Sequence, residues 1–136
     1  MSDSNKDVAL RFLDAMGRGD AETAAQCITE DAFTLAKGFG KFAGVRERET
    51  ILATITAFRD LMPEGMKPEI LSVLAEGDRV VLEFEGHGKL FNGEDYCNQY
   101  CMVFTLRDGR IAQVNEYFCT ALADRVLYPL IEAAGL

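Results

Sequence analysis

The chain has 136 residues, 49% of them hydrophobic and 26% charged. This is a globular composition, long enough for one hydrophobic core and too short for two, so residues 1–136 are read as a single domain. The net charge of -8 opposes partnership with nucleic acid or an anionic membrane, both of which are polyanions, and the basic residues are scattered rather than striped.

Residues 3–17 carry Val8, Phe12, Leu13 and Met16 at helical spacing, with Asp3 or Ser4 as the cap and Gly17 and Gly19 as the stop. Asp20 then caps a short second helix whose apolar face is Ala24, Ala25 and Ile28, and Glu30-Asp31 mark a break. Phe33 to Leu35 read as a short strand. Residues 36–45 mix three glycines with Phe39, Phe42 and Val45, a pattern suited to a loop that folds over a cavity. Residues 46–62 form a third helix with Ile51, Ile55, Phe58 and Leu61 on one stripe.

After Pro63 and Gly65 the period changes from 3.6 to 2. Residues 67–76, 78–91, 96–107 and 110–120 read as strands joined at Glu76-Gly77-Asp78, Asn92-Gly93-Glu94 and Asp108-Gly109. Residues 121–134 add a short helix limited by Pro129. Helices followed by a meander predict an α+β fold, a curved antiparallel sheet packed against three helices with a conical cavity between the layers.

Cys27, Cys97, Cys101 and Cys119 match no zinc spacing and accompany one histidine. There is no phosphate-binding glycine loop and no Ser-His-Asp set. No cofactor and no metal are expected. Four reduced, mostly buried thiols are expected, in a cytoplasmic protein, because the first residues lack an apolar signal segment and no run approaches a membrane span.

Several blocks of the second half carry a family resemblance. They are Gly77-Asp78-Arg79-Val80-Val81, Glu83-Phe84-Glu85-Gly86-His87-Gly88, Asn92-Gly93, Tyr96-Cys97-Asn98-Gln99-Tyr100, Asp108-Gly109-Arg110-Ile111 and Glu116-Tyr117-Phe118. With Gly40-Lys41-Phe42-Ala43-Gly44 and the order of elements, they make nearly the whole chain resemble the nuclear-transport-factor-2-like superfamily. Within it the chain is most similar to SnoaL-like and ketosteroid isomerase-related proteins. The resemblance implies a cone-shaped α+β barrel-like fold and leaves the reaction open. The carboxylate positions of limonene-epoxide-hydrolase-like relatives fall on Glu85 and Glu116, but their arginine position holds Glu83. The tyrosine that ketosteroid isomerases carry on the first helix is absent, where this chain has Phe12. The single acid of SnoaL-like cyclases, on the last strand, is matched by Glu116.

The residues themselves point to the same carboxylate. Strand alternation places Ala112, Val114, Glu116 and Phe118 on one face, so Glu116 stands among apolar neighbours that would raise its pKa toward a general base or acid. Asn98 and Tyr100 share a face with Met102 and Phe104 and suit donation to a substrate oxygen. Glu83, Glu85 and His87 alternate with Val80, Leu82 and Phe84, which places them in water. The resemblance instead places Glu85 in the pocket, with His87 beside it as a proton relay. Phe33, Phe39, Phe42 and the methionines Met16, Met62, Met66 and Met102 are candidates for an apolar lining.

Two functions follow. One is a cofactor-independent isomerase, cyclase or hydratase moving one proton on a small, mostly apolar molecule. The other is a non-catalytic ligand-binding or dimerisation module of the same fold. A homodimer is expected through the outer face of the sheet, where Gln99, Cys101, Val103, Gln113, Asn115 and Tyr117 make a half-apolar, uncharged surface.

Overall fold

The structure, a computed structural model, describes residues 4–135, so Asp3 lies outside the described residues. Helix α1 (Asn5–Arg18) begins at Ser4, whose hydroxyl accepts from the Asp7 N–H. It ends at Gly19, which adopts the left-handed conformation with φ 71°. Asp20 caps α2 (Ala21–Cys27) by accepting from both the backbone and the hydroxyl of Thr23. The expected break at Glu30-Asp31 is one of pairing and not of extended backbone: strand β1 (Ile28–Ala36) runs through both residues, but its pairing with the last strand of the sheet shifts register between Ile28 and Phe33. A short strand β2 (Gly44–Glu47) folds back on β1 and leads into α3 (Arg48–Leu61).

The meander comprises β3 (Met66–Glu76), β4 (Arg79–Lys89), β5 (Asp95–Arg107) and β6 (Arg110–Phe118). The β5–β6 turn has φ 53° at Asp108 and 79° at Gly109, the doubly left-handed turn that suits a twisted hairpin. The predicted last helix is two, α4 (Thr120–Val126) and α5 (Tyr128–Ala133), with a proline in the first turn of α5.

The six strands form one curved, unclosed sheet in the order β2-β1-β6-β5-β4-β3. Among the described residues only the β1–β6 pairing is parallel. The α+β expectation thus holds, with the expected short strand at 33–35 lengthened to β1 and one further strand, β2, added beside it.

Alternation breaks in β6. Leu106 pairs with Ile111 and Thr105 with Gln113, so one residue is extra. Ile111, rather than the expected Ala112, is therefore the buried inward residue beside Val114. Beyond the bulge the expected phase returns. One core cluster lies between α1, α3 and the inner sheet face, and centres on Phe12, Leu13, Ile55, Leu82, Phe104 and Val114. A second gathers Leu61, Met62, Met66, Leu90, Tyr96 and Leu127 under the C-terminal helices. Of the thiols only Cys27 is buried. Cys97 and Cys119 are exposed and Cys101 is intermediate, because Cys97 and Cys101 occupy the outward phase of β5.

Candidate active site

Residues of both core clusters line a cavity of about 500 Å³. Glu116 faces it from β6. The register puts Glu116 beside Met102 on one side and Ala36 on the other, both buried. Burial raises the pKa of its carboxyl group. The Arg46 guanidinium and a hydrogen bond from Thr34 pull the other way, and the net direction is upward.

Tyr100 reaches the cavity from β5. Its ring stacks on Phe84, with centroids 4.9 Å apart and planes at 7°, and leans on Phe118 at 5.8 Å. Its hydroxyl lies 3.0 Å from that of Tyr96. Burial first, then the neighbouring Tyr96, pushes the Tyr100 pKa well up. The phenol therefore stays protonated and available as a donor.

Asn98 is buried on the same face but does not line the cavity. Its amide donates to the Tyr96 hydroxyl at 2.8 Å and to the Cys119 carbonyl at 3.1 Å. Its carbonyl oxygen accepts from the N–H groups of Gln99 and Cys119. Both donors and both lone pairs are thus used, and Asn98 holds Tyr96 in place rather than meeting a ligand.

Glu85 and His87 are corrected. Their strand neighbours Phe84 and Gly86 are buried and face inward, so alternation turns Glu85 and His87 to the outer face. There Glu85 accepts from Gln99 at 3.1 Å, and His87 Nε2 lies 3.6 Å from Glu69 and 3.9 Å from Glu85. These three groups could meet at one ion but stand on the surface, apart from the cavity. Two phenylalanines are corrected as well. Phe33 pairs with Gln113 in the outward phase of the sheet, and Phe39 is fully exposed. Phe42 and the four methionines do line the cavity.

The loop between β1 and β2 is fastened over this space. The Lys41 N–H donates to Asp124 at 3.0 Å, and a side chain at Gly40 would meet Thr120 and Asp124. Phe42 then packs edge-on against Tyr128 and Phe118.

The sequence model of the SnoaL-like domain matches residues 9–114. The chain belongs to the SnoaL-like family. The matched span runs from within α1 into β6 and stops just short of Glu116. No curated protein matches the SnoaL-like chain. Among solved structures it is similar to Bal32a from a soil-derived mobile gene cassette. The two are 25% identical over 89% of this chain and 94% of that one, with a TM-score of 0.76. An NTF2-like protein of unknown function from Burkholderia pseudomallei is 18% identical over 93% and 99%, with a TM-score of 0.76. TerC, co-crystallised with polyporic acid, is 19% identical over 94% and 98%, with a TM-score of 0.72. The last two likenesses show the NTF2-like fold.

Among the polar residues of this SnoaL-like cavity that escape sequence reading are Thr34, Arg46 and Tyr96. Tyr96 carries a legible signal, since it shares the inward parity of Asn98 and Tyr100. Thr34 and Arg46 carry none, because their facing depends on the pairing of β1 with β6 and β2.

Proposed function

We propose that the protein is a cofactor-independent enzyme that moves one proton on a small, mostly apolar molecule bearing a carbonyl group, with isomerisation, cyclisation or hydration as the overall outcome. The observation that carries this reading is the pairing, across one apolar cavity, of a carboxyl group with a raised pKa and a phenol held protonated. Glu116 as carboxylate takes a proton from carbon next to the carbonyl. The electron pair moves to the carbonyl oxygen, where the Tyr100 hydroxyl donates to the developing oxyanion. The carboxylic acid then returns the proton at a different position. Tyr96 and Asn98 hold Tyr100 in place. Family membership and the TerC co-crystal with polyporic acid are consistent with a small organic substrate.

The test is deuterium exchange in heavy water, followed by NMR over a panel of enolisable ketones, with native protein and Glu116→Gln. Exchange in the native protein that falls about 100- to 10,000-fold in the variant is expected. Equal exchange in both removes Glu116 from the mechanism. Binding without exchange favours the non-catalytic ligand-binding module.

We also infer a homodimer through the outer sheet face. The registers align Leu74, Val81, Val103, Asn115, Leu35 and Val45 in one row across all six strands. Five of the six are apolar, and Leu74 and Val45 are more than 60% exposed. A row of this kind on a sheet face is better buried against a second copy than left in water.

A further inference from the structure

We infer that the cavity selects molecules carrying one negative charge on an apolar body, and that Arg46 is the residue that receives the charge. This deepens the proposed function and rests on the same cavity, but it concerns recognition rather than proton transfer.

Arg46 lies directly opposite Thr34 in the β1–β2 pairing, and directly opposed residues share a face of the sheet. Thr34 is buried in the cavity wall, so Arg46 also turns inward, and both residues line the cavity. The neighbouring Arg48 makes a useful contrast. Its guanidinium is held by the backbone carbonyls of Ala25, Ile28 and Thr29. Arg46 has no such partners. Among the described residues no hydrogen bond ties its guanidinium and no salt bridge within 4.0 Å joins it to Glu116, on which it acts through space. A half-buried guanidinium with five donors and no bonded acceptor, set in an apolar wall, is poised for an oxyanion.

The charge balance of the lining agrees. Its charged residues are Lys41, Arg46 and Glu116, two cations against one carboxylate. This small positive excess occurs in a chain whose net charge is -8. A positive concavity with low-dielectric walls concentrates anions even when the whole surface repels them. Lys41 is exposed and stands at the rim, its ammonium 4.7 Å from the centre of the Tyr128 ring, so it adds attraction at the mouth while Arg46 acts inside. The rest of the wall is mostly apolar, with Phe, Met, Ala and Ile side chains and a few Thr and Tyr hydroxyl groups, which suits an apolar body better than a polyanion such as a nucleotide.

Two fluorescent probes with the same rings test this: anilinonaphthalene sulfonate, which is anionic, and N-phenyl-naphthylamine, which is neutral. Both are titrated into native protein, Arg46→Gln, Arg46→Lys and Lys41→Gln, with circular dichroism to confirm folding. Native protein should hold the sulfonate at least about tenfold more tightly than the amine. Arg46→Gln should remove that preference while leaving the affinity for the amine unchanged, and Arg46→Lys should restore part of it. Lys41→Gln should have a smaller effect. Equal affinity of native protein for both probes, or a preference that survives Arg46→Gln, overturns the inference while the cavity remains a ligand site. Failure of both probes to bind overturns the inference and removes support for the ligand cavity itself. Loss of deuterium exchange in Glu116→Gln is independent of all these results.

Discussion

The hydroxyl groups of Tyr96 and Tyr100 meet at 3.0 Å on the inner face of β5, with the Asn98 amide donating to Tyr96 from the position between them. A chain of three polar side chains at alternate positions of one strand thus ends at the cavity. Tyr96→Phe leaves one N–H of buried Asn98 without its acceptor and should cost about 1–3 kcal/mol of stability. Tyr100→Phe keeps the ring stacked on Phe84 and should cost less stability but more activity. Chemical denaturation of both variants, beside the exchange assay, checks this ordering. The reverse order would mean that Tyr100 is the structural member of the pair.

The raised pKa of Glu116 makes stability depend on pH in a defined direction. The ordinary value is 4.5, and the folded value lies above it because burial outweighs the pull of Arg46 and Thr34. Between the two values the folded state binds the proton more strongly than the unfolded chain. The stabilisation is therefore complete below the ordinary value and is lost as pH rises through the folded one. Tyr100, pushed well up, stays neutral across this range. Glu116→Gln has no proton to lose, so its Tm should gain on that of the native protein as pH rises from below to above the ordinary value of 4.5. Differential scanning calorimetry across that range measures the difference, and a constant difference would contradict the burial of the carboxyl group.

Gly17 faces β3 so closely that a side-chain carbon there would lie 2.3 Å from the Met66 carbonyl oxygen. Alanine is the better helix former by about 1 kcal/mol, yet Gly17→Ala should lower stability by about 1–3 kcal/mol, because α1 and β3 must part. Met66 lines the cavity, so ligand affinity should fall as well. A rise in Tm for this variant would show that the two backbones separate easily.

The apolar row on the outer face predicts a dimer that one charge can disrupt. Val103 sits at its centre, paired with Val81 and Asn115. Native protein should scatter light as a dimer, and Val103→Glu as a monomer that keeps its fold and its cavity. Monomeric native protein at high concentration would rule out this interface.

Much of this architecture is written locally. Caps at Ser4, Asp20 and Gly19, a helical stripe on α3, and Asp108-Gly109 between apolar runs need only neighbouring residues to act, so helices, hairpins and the inward phase of Glu116 and Tyr100 can be read from the chain. The course of β1 through Glu30-Asp31 cannot, because its stabilising partner is β6, some eighty residues away in sequence. The bulge that exchanges Ala112 for Ile111 is equally hidden, since one extra residue shifts the phase without changing composition. Resemblance placed Glu85 inside, and the alternation of β4 places it outside, where Gln99 holds it. Arg46 is the clearest case. On its own segment it is one of two nearby arginines with nothing to separate them. Only the pairing of β2 with β1, and of β1 with β6, turns Arg46 toward Glu116 while Arg48 is held by backbone carbonyls, because strand phase is local and strand partnership is not.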